Sequence, residues 1–107
     1  MSAIPQMTVA ELKQRMDQGS APVVIDVREP HEYQICNLGA RLIPINTVPA
    51  RLDEIPRDQE VVIHCKSGMR SQRVAEFLVQ SGYTQVSNLK GGILAWAAEI
   101  DPSMPTY

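Results

Sequence analysis

Within seven residues, Cys65-Lys66-Ser67-Gly68-Met69-Arg70-Ser71, the chain gathers a thiol, two cations and a glycine. Such a set can make a reactive thiolate and hold an anion beside it. The thiolate is the nucleophilic form of cysteine, and helix N-termini or neighbouring cations lower its pKa from ~8.5 to ~3.5–7.5. Lys66 and Arg70 supply the cations. A loop that opens a helix supplies the rest, because its backbone N–H groups converge where the macrodipole is positive. Cys65, first in the loop, is expected at the rim of that cup. The competing reading is an inert cysteine buried at a strand end, since free cysteine is among the most buried residue types. Gly68 and the two cations argue for the thiolate.

Elements that could position this loop flank it. Val61-Val62-Ile63 is a β-branched run that reads as a buried strand. From Ser71 onward Val74, Phe77 and Leu78 recur at helical spacing, and Gly82 supplies the stop. Upstream, Val23-Val24-Ile25-Asp26-Val27 is a second strand, apolar except at Asp26. Buried strands separated by helices predict a parallel sheet covered on both faces, with ligands beyond the carboxyl ends of the strands. Asp26 and Arg28 then lie at the right end to neighbour Cys65. Their structural alternative is an ion pair between Arg28 and Glu32, at i and i+4 in a short helix opened by Pro30.

The remaining elements follow in order. Residues 1–7 are a lead-in in which Ile4 or Met7 adds an edge strand. Thr8 and Glu11 form a capping box, Val9, Leu12 and Met16 share one helical face, and Gly19 ends that helix. Arg41 to Ile45 is a strand candidate that Pro44 demotes to an edge or a strand end. Val48 to Ile55 reads as a short helix with Pro49 in its first turn. Val86 to Leu89 is the last strand, and Lys90-Gly91-Gly92 turns into a helix from Ile93 to about Ile100. Asp101 to Tyr107, with two prolines, is an extended surface segment.

A chain of 107 residues with 44 % hydrophobic content is expected to form one domain over 1–107. Its net charge of −2 gives no field for nucleic acid. No apolar run is long enough to span a membrane and no signal-peptide pattern opens the chain, so a cytoplasmic setting is expected. Two cysteines without a C-x-x-C pattern read as reduced thiols, and the two histidines add no metal-ligand spacing. Neither a metal nor an organic cofactor is expected. His64 alternates away from the cysteine face, and His31 is an exposed helix-start residue. Cys36 is a partly buried idle thiol, with a role in resolving an oxidised Cys65 as its alternative. Trp96 anchors the last helix in the core.

The loop Cys65–Ser71 resembles the active-site loop of the rhodanese family of sulfurtransferases. Asp26-Val27-Arg28-Glu29-Pro30 with Glu32-Tyr33 and Gly39-Ala40 resembles its upstream signature, and Gly91-Gly92-Ile93-Leu94-Ala95-Trp96 its downstream one. One departure is Cys36-Asn37-Leu38-Gly39-Ala40, where the family usually reads Gly-His-Ile-Pro-Gly-Ala. The resemblance implies a three-layer α/β fold, with a mostly parallel sheet of about five strands and helices on both faces. It also implies that Cys65 takes a sulfane sulfur as a persulfide from an anion such as thiosulfate and passes it to a nucleophile. Asp-Pro-Ser-x-Pro-x-Tyr after Trp96 resembles the C-terminus of adenylyltransferase–sulfurtransferases of molybdopterin and thiolation pathways. That resemblance implies a ubiquitin-like sulfur carrier and an adenylyltransferase domain as partners. Two rival functions remain: a phosphatase or arsenate reductase, whose loops resemble Cys-x5-Arg rather than the Cys-x4-Arg here, and a silent binding module.

Overall fold

The computed structural model describes residues 3–107; the first two residues of the lead-in lie outside it. Five strands form one sheet: β1 (Gln6–Met7), β2 (Val23–Asp26), β3 (Arg41–Leu42), β4 (Val61–His64) and β5 (Val86–Leu89). Their order is β1-β5-β4-β2-β3, and every pair is parallel. The helices are α1 (Val9–Asp17), α2 (Pro30–Ile35), α3 (Met69–Gln80) and α4 (Gly92–Glu99). The predicted edge strand at Met7 is present as β1, in register with β5.

Strand alternation sorts the core into two layers. Ile25, Val61, Ile63, Cys65 and Val86 pack with Val74, Ala75 and Leu78 of α3 on one face. Val62 and Leu89 pack with Val9, Leu12 and Trp96 on the other, against α1 and α4. Trp96 is the expected core anchor. Met16 departs from expectation: it lies at the end of α1 and is exposed rather than packed with Val9 and Leu12. The capping box at Thr8 and Glu11 is formed from both sides.

The two elements between α2 and β4 are altered by proline. Expected to run from Arg41 to Ile45, β3 stops at Leu42, although Ile43 and Ile45 N–H still donate to the Asp26 and Val27 carbonyls at 2.8 and 3.1 Å. Pro44 lies between those donors and has no N–H to give. The helix predicted for Val48 to Ile55 is instead a 3-10 segment over Ile45–Glu54, broken by non-helical torsions at Arg51. Pro49, in its interior, removes the donor that an α-helix would need there. Asp101 to Tyr107 contains neither helix nor strand.

Candidate active site

β4 delivers the chain to the carboxyl edge of the sheet, and Gly68, at φ 105°, turns it into α3 two residues earlier than the periodicity implied. Cys65 does not sit at a rim. It is 1 % exposed and forms the floor of the cup. Its Sγ accepts from Gly68 N–H at 3.1 Å and from Ser71 N–H at 3.4 Å, with Ser71 Oγ 3.3 Å away. Burial alone would push this thiol up. The N–H groups of Ser71, Gly68 and Ser67 at the start of α3 act against it, and the thiol lies below its ordinary value. Ser67 and Met69 are exposed on the loop, and Met69 stands 71 % exposed at its crest.

The two cations do not simply point at the sulfur. Arg70 forks onto Glu32 of α2, with Nη1 and Nη2 at 2.8 and 2.9 Å from the two carboxylate oxygens. That pairing draws Glu32 down to about 2, against the opposing effect of burial and with help from Glu29 N–H and the Tyr107 hydroxyl. Lys66 places its ammonium 4.4 Å from the centre of the Tyr107 ring. The Tyr107 hydroxyl accepts from Arg28 Nη1 at 2.9 Å and donates to Glu32 Oε1 at 2.8 Å. The tail is largely the exposed surface segment expected, but its last residue folds back onto the charged groups beside the loop.

Arg28 and Glu32 are not the expected ion pair. The fully buried Arg28 guanidinium pairs with Asp26, Nη2 to Oδ2 at 2.7 Å, and donates to the Cys36 and Glu32 carbonyls at 2.7 and 3.3 Å. A guanidinium in this position satisfies the buried backbone at the end of α2, and Asp26 satisfies the guanidinium. Cys36 Sγ lies 4.0 Å from Arg28 Nη1, so its surroundings are not free of positive charge as the local sequence suggests. His64 turns to the opposite face from Cys65, as alternation predicted. Burial keeps its imidazole neutral against the pull of Asp26; Nδ1 meets the Cys65 carbonyl at 3.3 Å, and Nε2 has no hydrogen-bond partner. His31 is exposed and takes no part.

Three contributors escaped the sequence reading. Glu32 holds Arg70. Gly92 lets α4 approach: Ile93 and Leu94 N–H donate to the Cys65 and Lys66 carbonyls at 3.0 and 3.1 Å, and a Cβ on Gly92 would lie 2.5 Å from the Lys66 oxygen. Asn88 of β5 lies behind the loop, with Oδ1 2.5 Å from Ser71 Oγ. Glycine at a close backbone approach is a signal that Gly91-Gly92 did carry; the other two depend on distant pairings. Among the described residues, no cluster of three or more metal-ligating side chains is assembled, and no helix is long and apolar enough to cross a membrane.

A Cys-x4-Arg loop at the carboxyl edge of a parallel sheet, joining strand to helix, marks a thiolate-bearing α/β domain. Within that class the chain belongs to the rhodanese-like domain family, whose signature matches residues 8–99. A sulfurtransferase of Allochromatium vinosum is 42 % identical over 87 residues, covering 80 % of this chain and 81 % of its own. The probable adenylyltransferase/sulfurtransferase MoeZ of Mycobacterium tuberculosis is 36 % identical over 104 residues, 94 % of this chain but 26 % of MoeZ. The chain therefore spans about a quarter of that relative. The crystal structure of a rhodanese-like domain protein from Staphylococcus aureus superposes with a TM-score of 0.81 at 31 % identity, covering 87 % of this chain and 91 % of that one.

Proposed function

We propose that this chain is a sulfurtransferase with Cys65 as its nucleophile. The observation that carries the reading is the set of N–H groups directed at the Cys65 sulfur from the start of α3. A thiolate so held attacks the outer sulfur of thiosulfate; the bond between the two donor sulfurs breaks and sulfite leaves with its electron pair. The same N–H groups, from Ser67 to Ser71, then stabilise the anionic persulfide. Lys66 and Arg70 supply positive charge for the donor, Gly68 and Met69 shape the loop, and Asp26 and Arg28 support it from the end of β2. An acceptor such as cyanide takes the outer sulfur and returns the thiolate.

For the acceptor inside the cell, the match to MoeZ favours the C-terminus of a ubiquitin-like sulfur carrier, activated by an adenylyltransferase that is fused or separate. The exposed loop crest at Met69 suits an extended tail. The shorter Cys-x4-Arg loop argues against tetrahedral phosphate, and retention of Cys65, Lys66 and Arg70 argues against a silent binding module.

Mass spectrometry after incubation with thiosulfate tests the reaction class. The wild type is expected to gain the mass of one sulfur on Cys65, and Cys65→Ser to gain none. Hydrolysis of an aryl phosphate, or no sulfur gain by the wild type, would overturn the reading. For the acceptor, persulfidated protein given an acyl-adenylated carrier should yield a thiocarboxylate; cyanide turnover without it would remove that partner.

A further inference from the structure

The Ser71 hydroxyl has one proton and two acceptors in reach, Asn88 Oδ1 at 2.5 Å and Cys65 Sγ at 3.3 Å. Given to sulfur, the proton stabilises the thiolate. Given to Asn88, it leaves a lone pair facing sulfur, which favours the S–H form because the oxygen can accept that proton.

A chain of amides behind the loop fixes the direction. Asn88 Nδ2 donates to the Gly68 carbonyl at 3.2 Å and to Gln6 Oε1 at 3.0 Å. Gln6 Nε2 donates to the Ile4 carbonyl at 3.1 Å and to Gln72 Oε1 at 2.8 Å, and Gln72 Nε2 donates to the Glu76 carboxylate at 3.1 Å. The Ile4 and Gly68 carbonyls and the Glu76 carboxylate can only accept, so each amide has one workable orientation. Asn88 therefore turns Oδ1 to Ser71, and Oδ1 can only accept. Ser71 is its one donor among the described residues, and both residues are buried. Rotating the proton to sulfur would orphan a buried oxygen and set two lone pairs face to face.

We propose that Asn88 is a positioning residue for the nucleophile: it keeps the Ser71 proton in both protonation states of Cys65, so that Ser71 Oγ offers sulfur a lone pair. The thiolate is then stabilised by backbone N–H groups, and the hydroxyl holds the thiol higher than those groups alone would set it. Charges near the sulfur come from other elements. Lys66 is in the loop, Arg70 on α3 faces Glu32 of α2, and the Asp26–Arg28 pair closes β2 beside the Tyr107 phenol. Buried His64, adjacent in β4, is neutral, while β5 and the first turn of α4 carry no ionisable side chain. The proposal matters for sulfur transfer and to that extent rests on that reading, but it concerns the thiol itself, whatever cargo it carries.

The test is the rate of iodoacetamide alkylation against pH, in a Cys36→Ser background so that Cys65 is the only thiol. Ser71→Ala should leave the thiol pKa unchanged or lower it. Asn88→Ala frees the Ser71 proton for sulfur and should lower the pKa by about one unit, the scale of one charge-assisted hydrogen bond. Asn88→Ala added to Ser71→Ala should do nothing more. A rise of about one unit in Ser71→Ala would overturn the proposal, because Ser71 would then be donating to sulfur. So would an Asn88→Ala shift of equal size with and without Ser71, which a merely structural hold on Gly68 would give. Should Asn88→Ala not fold, the Ser71→Ala result decides alone. An unchanged thiol pattern in a protein that gains no sulfur would separate this proposal from the transfer reading.

Discussion

Helices α3 and α4 begin alike. Each follows a glycine with left-handed torsions, Gly68 at φ 105° and Gly91 at φ 79°, and neither has a side-chain cap. Their free N–H groups do different work. Those of α4 are occupied by the Cys65 and Lys66 carbonyls, at 3.0 and 3.1 Å. Those at the start of α3 converge on a sulfur. A positive helix end is thus chemistry or scaffolding according to its occupant, and here the scaffolding end holds the chemical one in place.

The largest effect should come from changing the occupant at α3. Cys65→Ser keeps the shape of the cup but removes the only atom that forms a persulfide, so thiosulfate:cyanide transfer should fall below detection with folding intact by circular dichroism. Next is the scaffolding end. Gly92→Ala combines unfavourable torsions with a Cβ 2.5–2.6 Å from the Cys65 and Lys66 carbonyl oxygens. Urea denaturation should show a loss of about 2–4 kcal/mol, and transfer should drop at least about tenfold, ~1.4 kcal/mol. A stable, active Gly92→Ala would break the comparison.

Removing the cations should sharpen it. Arg70→Ala unpairs the buried Glu32 and should cost about 1–3 kcal/mol of stability; Lys66→Ala loses a contact with the Tyr107 ring and should cost ~1 kcal/mol or less. Both should raise KM for thiosulfate. Equal stability losses would show that the pairing across α2 and α3 is idle. The Arg70 effect should also depend on pH. The Glu32 carboxyl is lowered from 4.5 unfolded to about 2 folded. Its contribution is therefore complete above the unfolded value and fades as pH falls towards the folded one. The stability gap between wild type and Arg70→Ala should shrink between about pH 5 and 2 in urea titrations. The smallest effect belongs to Cys36→Ser, which touches neither helix start. Transfer should change by less than about twofold, ~0.4 kcal/mol, and a loss beyond tenfold would give Cys36 a resolving role.

Features set by neighbours in sequence were legible in it. β2 and β4 follow from β-branched runs, the capping box from Thr8 and Glu11, and the loop from a thiol, a glycine and two cations within six residues. Pro44 foretold a shortened β3. What sequence spacing misassigned was partnership. Glu32 is four residues from Arg28, yet it pairs with Arg70, 38 positions away, because Asp26 at the same strand end already fills the Arg28 fork. Asn88 and Tyr107 carry no local sign of their roles, since neither touches the loop until the sheet and tail have closed around it. Burial of Cys65 was weighed from the sequence only as a rival to reactivity, whereas the fold combines the two: the sulfur lies under α3, in one cluster with Val74 and Ala75, and still receives the N–H groups of its own loop.

One pairing has a consequence for how the protein comes into being. Gln6 lies in register with Asn88, and Asn88 backs Ser71, which backs Cys65. Contacts between residues so far apart in the chain form late, after loop-closure entropy has been met by the strands between them. A ribosome that has just released Cys65 has made only an ordinary thiol, without β5, α4 or the amide network behind it. The hold on the Ser71 proton arrives only when the first strand finds the last, so that the finished fold, and not the half-made chain, sets how readily this thiol ionises.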